Sequence, residues 1–406
     1  ERTLGSEEAY AEAFREVFSR AVEDRLRTNG DVGSFLSGGL DSSSVTTMAR
    51  TVSTSEVHTF SATYDETPEV DEREYIRAVL ERGDYRSHIT EGNGYDLLKD
   101  LPRFSASHRK ATLAPSLSLM RQLHRSVRDA GVRVVLDGHG GDEVVGRGHG
   151  VRAQLARERQ WGELARDLMG GLESSRAAGS AFLAYWLRHS RLPSRVGRGL
   201  LRVLRPALQV GGSATSPQLL RSDLARRTQI SDRKRRYRHE SPAGASTERR
   251  HHIRQVASTL QPGALEELNQ LGGAHSVEPR FPFWDLRLVE FCLSLPTRVK
   301  RKHGVGRRVM RASLAPLLPE SVRTRTDKAR FRSSLSHALL HSTRDVRATV
   351  ETMAPRLAPY VDMDTARSVV NRFLQDPMGA DPTDFVALLQ ILRLGSWLLE
   401  EEKRQS

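Results

Sequence analysis

The chain has a single cysteine, Cys292, among 406 residues. One thiol cannot build an intrachain disulfide scaffold, a Cys-based zinc site or a CxxC redox pair. Lysine is scarce as well: 7 of the 63 basic residues, the rest being arginine. Aromatic residues make up 6%. No apolar run reaches the ~20 residues of a membrane-spanning helix. The best stretch, Phe385 to Leu399, is broken by Gln390 and Arg393 and reads as an amphipathic core helix. No signal-peptide pattern opens the chain, and Glu1 in place of Met is expected of a fragment or a processed protein. A soluble cytoplasmic protein is the expectation. Hydrophobic residues at 38%, with recurring apolar periodicity, exclude wholesale disorder. The length suits one large domain or two ordinary ones.

The net charge of +13 is local. Between Arg188 and Arg254, 17 Arg and Lys face only Asp223, Asp232, Glu240 and Glu248, an excess equal to that of the whole chain. The peak is Arg233-Lys234-Arg235-Arg236 with Arg238, flanked by Gly, Ser and Pro. Such a segment reads either as a solvated insertion or as a dock for an acidic partner. Only Tyr237 interleaves with the basic residues, so base stacking has little support and nucleic acid is not the expected partner.

Spacing predicts helix over Ala9 to Leu26, a buried strand over Val32 to Leu36 and helix over Asp41 to Arg50. Val57 to Tyr64 alternates like a strand; Arg73 to Arg82 and Met120 to Ala130 are helical; Val132 to Leu136 is again a buried strand. This alternation predicts an α/β fold, a parallel twisted sheet with flanking helices, followed by a largely helical C-terminal half. The expected organisation is an α/β core over 1–185, a basic and partly flexible insertion over 186–260 and a helical part over 261–406.

Between the first strand and helix lies Ser37-Gly38-Gly39-Leu40-Asp41-Ser42-Ser43. Glycines let a backbone approach a ligand closely, and unpaired N–H groups at a helix start attract an anion. The hydroxyls of Ser37, Ser42 and Ser43 add donors. Asp41 would repel phosphate directly, so its sensible role is to hold Mg2+ bridging phosphates. No Gly-Lys-Ser/Thr follows, which excludes a Walker A loop. A second strand leads into Asp137-Gly138-His139-Gly140-Gly141-Asp142-Glu143. Loops at the carboxyl ends of parallel strands meet at one crevice, so Asp142 could share the metal with Asp41.

The first string resembles the pyrophosphate loop of the N-type ATP pyrophosphatases, which cleave ATP between its α and β phosphates. Together the two loops are similar to those of the asparagine synthetase family, in its synthetase domain. Phe60-Ser61, Asp71 to Tyr75, Glu278 to Asp285, Leu288 to Phe291, Leu295-Pro296, Arg307 to Ala312, Leu318 to Glu320, Lys328 to Phe331 and Leu388 to Leu398 extend the similarity. It spans most of the chain, leaving out Arg188 to Arg254 and the region around Ser105 to Leu117. The resemblance implies activation of a carboxylate by ATP, giving an acyl-adenylate and pyrophosphate, then displacement of AMP by an amine. It places ATP on Ser37, Gly38, Gly39, Asp41, Ser42, Ser43, Ser61 and Gly138, and Mg2+ on Asp41 and Asp142. Arg280, Asp285 and Asn269, with Glu267, are expected in the acceptor region; a structural pairing of Arg280 and Asp285 fits as well. His275 is expected to pack or to cap a turn.

Three departures bear on the branch. The family's glutaminase domain, with its N-terminal Cys nucleophile, is not in this chain. His139 stands where asparagine synthetases resemble one another in carrying Glu and β-lactam synthetases carry Tyr. Ser107-His108-Arg109-Lys110 replaces an acidic Glu-Pro stretch. His139 either takes a proton from the attacking amine or hydrogen-bonds within its loop. Lys328 either steadies charge on the phosphate and acyl oxygens or pairs with Asp327 at the surface, and Arg325-Thr326-Asp327-Lys328 has one residue more than the family spacing. The resemblance points to a lasso-peptide-type macrolactam synthetase acting on a small molecule or peptide that carries both a carboxylate and an amine, with partner proteins of a biosynthetic pathway. The alternatives are the synthetase domain of a glutamine-hydrolysing asparagine synthetase, an RNA-modifying pyrophosphate-loop enzyme, and a catalytically silent scaffold.

Overall fold

The computed structural model describes residues 3–171 except 94, 109, 113–115 and 149, then 179, 181–183, 185–186, 219–233, 247–258, 260–326, 332–342 and 344–405. The first helix, α1 (Glu7–Glu23), starts where the Ser6 side chain accepts a hydrogen bond from the Ala9 N–H at 3.2 Å. Glu7 and Glu8 sit in its first turn, where the helix dipole favours acidic groups. Tyr10, Phe14, Phe18, Ala21 and Val22 recur at helical spacing and are buried.

Five parallel strands follow the order β3-β2-β1-β4-β5: β1 (Val32–Phe35), β2 (Val57–Thr63), β3 (Arg86–Glu91), β4 (Val134–Leu136) and β5 (Glu278–Arg280). Val32 of β1 pairs with Val57 on one side and Val134 on the other. The helices α2 (Leu40–Val52), α3 (Arg73–Leu80), α4 (Leu97–His108) and α5 (Leu117–Asp129) lie between the first four strands in sequence. Successive strand residues point to opposite faces. Val134 and Leu136 therefore join a core with Phe14, Phe18, Met48 and Phe291, while Val135 joins another with Phe60, Leu123, Phe373 and Leu388.

The expected α/β class is observed, and every predicted helix and strand of the first 136 residues is present, with ends shifted by a few residues. Two strands of this sheet were not predicted, nor was the short antiparallel pair Arg301–Lys302 and Val305–Gly306. β3 is a polar edge strand, and β5 is three residues with Pro279 at its centre, which only an edge strand tolerates. Because β5 comes from residues 278–280, the sheet extends beyond the 1–185 segment assigned to the core. The C-terminal half is helical, ending in the 24-residue helix Pro382–Gln405, with Phe385, Leu388 and Leu392 buried. Among the described residues no helix is long and apolar enough to cross a membrane. Cys292 is fully buried, and burial pushes its thiol up to about 12.

Much of the basic segment, including its Arg233-to-Arg238 peak beyond Arg233, lies outside the described residues. Its last part does not read as a solvated insertion. The helix Thr247–Val256 packs on the main body, with Glu248 and His252 buried.

Candidate active site

The strand order reverses between β1 and β4, and open parallel sheets bind ligands beyond the carboxyl ends of the strands at such a point. The loop after β1 and the loop after β4 meet there. A Cβ on Gly138 would lie 2.8 Å from the Ser42 amide nitrogen and 3.0 Å from the Asp41 carbonyl carbon. Only glycine lets the two backbones approach this closely. Gly38 turns the first loop with φ of 74°, a conformation open to glycine.

Asp41 stands in the first turn of α2, and Asp142 opens a π-helical turn, Asp142–Gly146. Such turns are rare and concentrate at functional sites. Both carboxylates converge on one guanidinium. Arg307 Nη1 lies 2.5 Å from Asp41 Oδ1 and 2.9 Å from Asp142 Oδ1. Arg147 grips Asp142 from another side, Nε to Oδ1 at 2.7 Å, and Asp142 holds the Arg147 guanidinium pKa above its ordinary value. Arg307 is buried and has φ of 54°, a left-handed backbone that residues with a Cβ keep only where their surroundings impose it. A cation seated between two carboxylates is the test a metal site has to meet. The donor set suits Mg2+, which takes one or two carboxylates and completes its shell with phosphate oxygens and water.

A cleft of about 440 Å³ opens from the loops. Phe35, Phe60, Leu119 and Leu123 form apolar walls, and Ser37, Asp41, Ser42 and Gly138 line its polar end. An apolar slot ending in backbone donors and carboxylates fits a nucleotide, base in the slot and phosphates at the loops. Ser37 and Ser42 pair through their hydroxyls at 3.0 Å at the rim. Ser43 is fully buried and its Oγ makes no hydrogen bond. Ser61 is also buried; its hydroxyl donates to the Leu36 carbonyl at 2.7 Å, tying β2 to the start of the first loop, and it does not line the cleft.

In the second loop the His139 N–H donates to Asp137 Oδ1 at 2.8 Å. Desolvation raises the Asp137 carboxyl, opposed by His139. His139 Nε2 lies 3.2 Å from Gln261 Oε1. With the amide oxygen as acceptor, the proton sits on Nε2 and Nδ1 keeps the lone pair. Gln261 belongs to the helix Leu260–Gly273, which also receives His108 and Lys110: His108 Nε2 lies 3.3 Å from the Glu267 carbonyl oxygen, and Lys110 pairs with Glu266 at 2.7 Å.

The second loop is braced from below by a buried trio. Lys300 Nζ lies 3.0 Å from His252 Nδ1 and 3.2 Å from Glu248 Oε2. His252 Nε2–H donates to the Val144 carbonyl in the π turn at 2.9 Å. Burial and the Lys300 charge lower His252 to about 4, so it is neutral with a fixed tautomer.

The structure does not bring the predicted acceptor residues to the cleft. Arg280 donates to the carbonyls of Arg25 and Arg27 at 2.9 and 2.8 Å, anchoring the turn after α1. Asp285 caps the helix Leu286–Ser294; hydrogen bonds from Arg287 and Arg25 hold its carboxyl well below the usual range. They form structural pairs, though not with each other. Asn269 lines a groove with Asp31, Gly131 and Arg133, which stand at or before the amino ends of β1 and β4. His275 caps its turn, with Nδ1 2.9 Å from the Leu271 carbonyl. Lys328 lies outside the described residues. The chain leading to it is pinned by Arg325, 2.6 Å from Glu72 and stacked over Tyr75. Sequence reasoning missed Arg307, Arg147, Gln261 and the Lys300 trio. Arg307 lay inside a matched stretch, but its left-handed backbone leaves no sequence signal. Gln261 is 122 positions from its partner.

The asparagine synthase family model matches residues 13–399. A probable glutamine-hydrolyzing asparagine synthetase of Dictyostelium discoideum is 29% identical over 156 residues, covering 35% of this chain and 28% of that protein. A glutamine-hydrolyzing asparagine synthetase of Zea mays is 30% identical over 142 residues, covering 33% and 24%. The matched stretch spans about a quarter of the length of these relatives. The family match takes in both glycine loops, the π turn, Arg307 and most of the closing helix, and the chain belongs to the asparagine synthase family, whose members are ATP-dependent amide-forming synthetases.

Proposed function

We propose that the crevice between β1 and β4 activates a carboxylate with ATP and joins it to an amine carried by the same peptide, closing a macrolactam. The observation that carries the first half is the convergence of Asp41 and Asp142 on Arg307 beside an apolar slot. The substrate carboxylate oxygen attacks the α-phosphorus, forming an acyl-adenylate and expelling pyrophosphate. Backbone N–H groups at the start of α2, with Ser37 and Ser42, would hold the leaving phosphates, and Arg307 would offset their charge. Asp41 and Asp142 would hold Mg2+, which when bound supplies further charge neutralisation. The amine nitrogen then attacks the acyl carbon, AMP leaves with the electron pair, and the amine proton passes to His139 Nδ1. Lys328 is assigned to the developing oxyanion. Two features favour a tethered amine: His139 at the base position, and the basic stretch at Ser107 to Lys110, whose His108 and Lys110 meet the helix carrying Gln261. Joining two ends of one molecule gains large effective molarity. The names of the relatives favour a second reading, aspartate and ammonia as substrates.

The test supplies Mg-ATP with aspartate and ammonium in one arm. The other arm uses linear peptides bearing a free N-terminus and one internal Asp or Glu. Asp41→Asn is the blank. Expected is AMP release with peptides that lose one water by mass, and no asparagine. Asparagine formation would replace the macrolactam reading with the second one. No AMP in either arm, from protein that still binds ATP, would remove both.

A further inference from the structure

At the opposite ends of the same strands lies a cluster that the proposed chemistry does not use. Val32 of β1 pairs with Val57 of β2, so Asp31 and Glu56, each just before its strand, are neighbours across the sheet. Glu56, just before β2, and His58, its second residue, come together on one side, with Glu56 Oε2 3.4 Å from His58 Nε2. The register thus presents two carboxylates and one imidazole together at the amino edge of the sheet. Gly33, opposite His58, contributes no side chain there. About 15 Å of strand separates this edge from the nucleotide loops.

His58 is 2% exposed, and its Nε2 makes no hydrogen bond. That nitrogen lies 3.6 Å from Asp31 Oδ2 and 3.4 Å from Glu56 Oε2, straddled by two oxygens and bonded to neither. The three ligand atoms all lie within 4.8 Å of one another. Zinc bonds to His nitrogen and carboxylate oxygen run about 2.0–2.2 Å, so the edge of a zinc tetrahedron is roughly 3.3–3.6 Å. The nitrogen-to-oxygen spacings observed are such edges.

The other ring nitrogen has a partner. His58 Nδ1 lies 3.1 Å from His88 Nε2 on β3, and the His88 ring stacks on Phe60 with centroids 4.7 Å apart. An Nδ1–H donated to His88 leaves the Nε2 lone pair aimed between the carboxylates. Metal-bound histidines are oriented in this way by a second hydrogen bond. Asp31 and Glu56 are about half exposed, which gives an ion an entry path and leaves room for a water as fourth ligand.

We propose that Asp31, Glu56 and His58 form a site for a borderline divalent transition metal of the Zn2+ class, positioned by His88 and clamping the starts of β1 and β2. An imidazole ligand selects against Mg2+ and Ca2+, so this site is chemically distinct from the Asp41–Asp142 pair.

The experiment measures Zn2+ binding to the whole chain by competition with a chromogenic chelator, and the visible spectrum after loading with Co2+. The wild type and Asp41→Asn are expected to bind one zinc at this site and to show the intense visible band of tetrahedral Co2+. Asp31→Asn with Glu56→Gln, near-isosteric changes at half-exposed side chains, is expected to weaken binding at least 100-fold and abolish the band. His88→Phe is expected to weaken it about 10–100-fold. His58→Gln should abolish it, and the exposed pair keeps the test valid if that variant fails to fold. No zinc binding by the wild type, or binding and a band unchanged in the Asp31/Glu56 double variant, would overturn the site.

Discussion

The two glycine loops face each other across the same crevice but are held in different ways. The loop after β1 is held largely by its own residues, with Arg307 on Asp41 as its long-range contact. Ser42 Oγ accepts from the Ser37 N–H at 3.2 Å and donates to the Gly39 carbonyl at 3.2 Å, all within six residues. The loop after β4 is held from far along the chain. Arg307, Gln261, His252 and, through it, Lys300 approach from the C-terminal half, more than 100 positions away. A loop held mostly by local contacts can keep one chemistry, the proposed holding of phosphates. A loop held by distant elements can be re-equipped by changing those elements, which suits the step that varies with the substrate.

That division is tested most sharply at His139. His139→Asn is expected to slow amide formation about 10²–10⁴-fold, the usual worth of general-base help, while leaving ATP–pyrophosphate exchange near the wild-type rate. Gln261→Leu is expected to shift the pH dependence of the amide step with a smaller loss in rate. If exchange falls in parallel with amide formation in His139→Asn, the two loops do not divide the reaction between them.

The next largest effect is expected in the brace beneath the second loop. Lys300→Met leaves Glu248 buried without its cation, and breaking a buried pair on one side costs about 3–5 kcal/mol. Urea unfolding should show that loss, and Lys300→Met with Glu248→Gln should recover part of it. A loss under about 1 kcal/mol would mean that the second loop does not depend on the trio.

The same contrast governs what could be read in the sequence. The first loop was legible because its strand, glycines, hydroxyls and helix start are consecutive, and Val32 to Leu36 carries the continuous apolar run of a buried strand. Asp142 was legible only as the partner of Asp41. Arg307 was not, because no sequence pattern records a left-handed arginine. The polar edge strand Arg86–Glu91 lacks an apolar face, and Glu278–Arg280 hides a strand behind a proline. The residues expected in the acceptor region make a related point. Arg280 and Asp285 lie in a strongly matched stretch, yet there they anchor α1 and cap a helix. A match in sequence does not separate residues that touch substrate from residues that hold the fold.

Acid separates the two loops more gently. Burial holds His252, beneath the second loop, at about 4, and His124, whose ring meets Phe35 of β1 with centroids 5.1 Å apart, at about 4 as well. Both are lowered from about 6.5, so above that pH neither state carries the extra proton and they add no pH dependence. As pH falls below about 6.5 the unfolded chain takes two protons that the folded chain refuses. Stability should then fall toward pH 4, with a slope approaching about 2.7 kcal/mol per pH unit. Urea unfolding between pH 6.5 and 5 measures that slope, and His252→Gln should roughly halve it. An unchanged slope would place the titration elsewhere.

The smallest effect belongs to the first loop. Ser42 Oγ joins three bonds, to the Ser37 N–H, the Ser37 hydroxyl and the Gly39 carbonyl, but at a half-exposed rim where water can replace each of them. Ser42→Ala should therefore cost about 0.5–1.5 kcal/mol of stability, the net worth of a single hydrogen bond. Gly138→Ala, which forces a Cβ against the Ser42 backbone, should cost more and reduce exchange, because backbone cannot give way as a hydroxyl can. A loss above roughly 2 kcal/mol from Ser42→Ala would mean the first loop hangs on one contact, as the second hangs on Lys300. Both loops would then be brittle, and their different supports would no longer account for how they share the reaction.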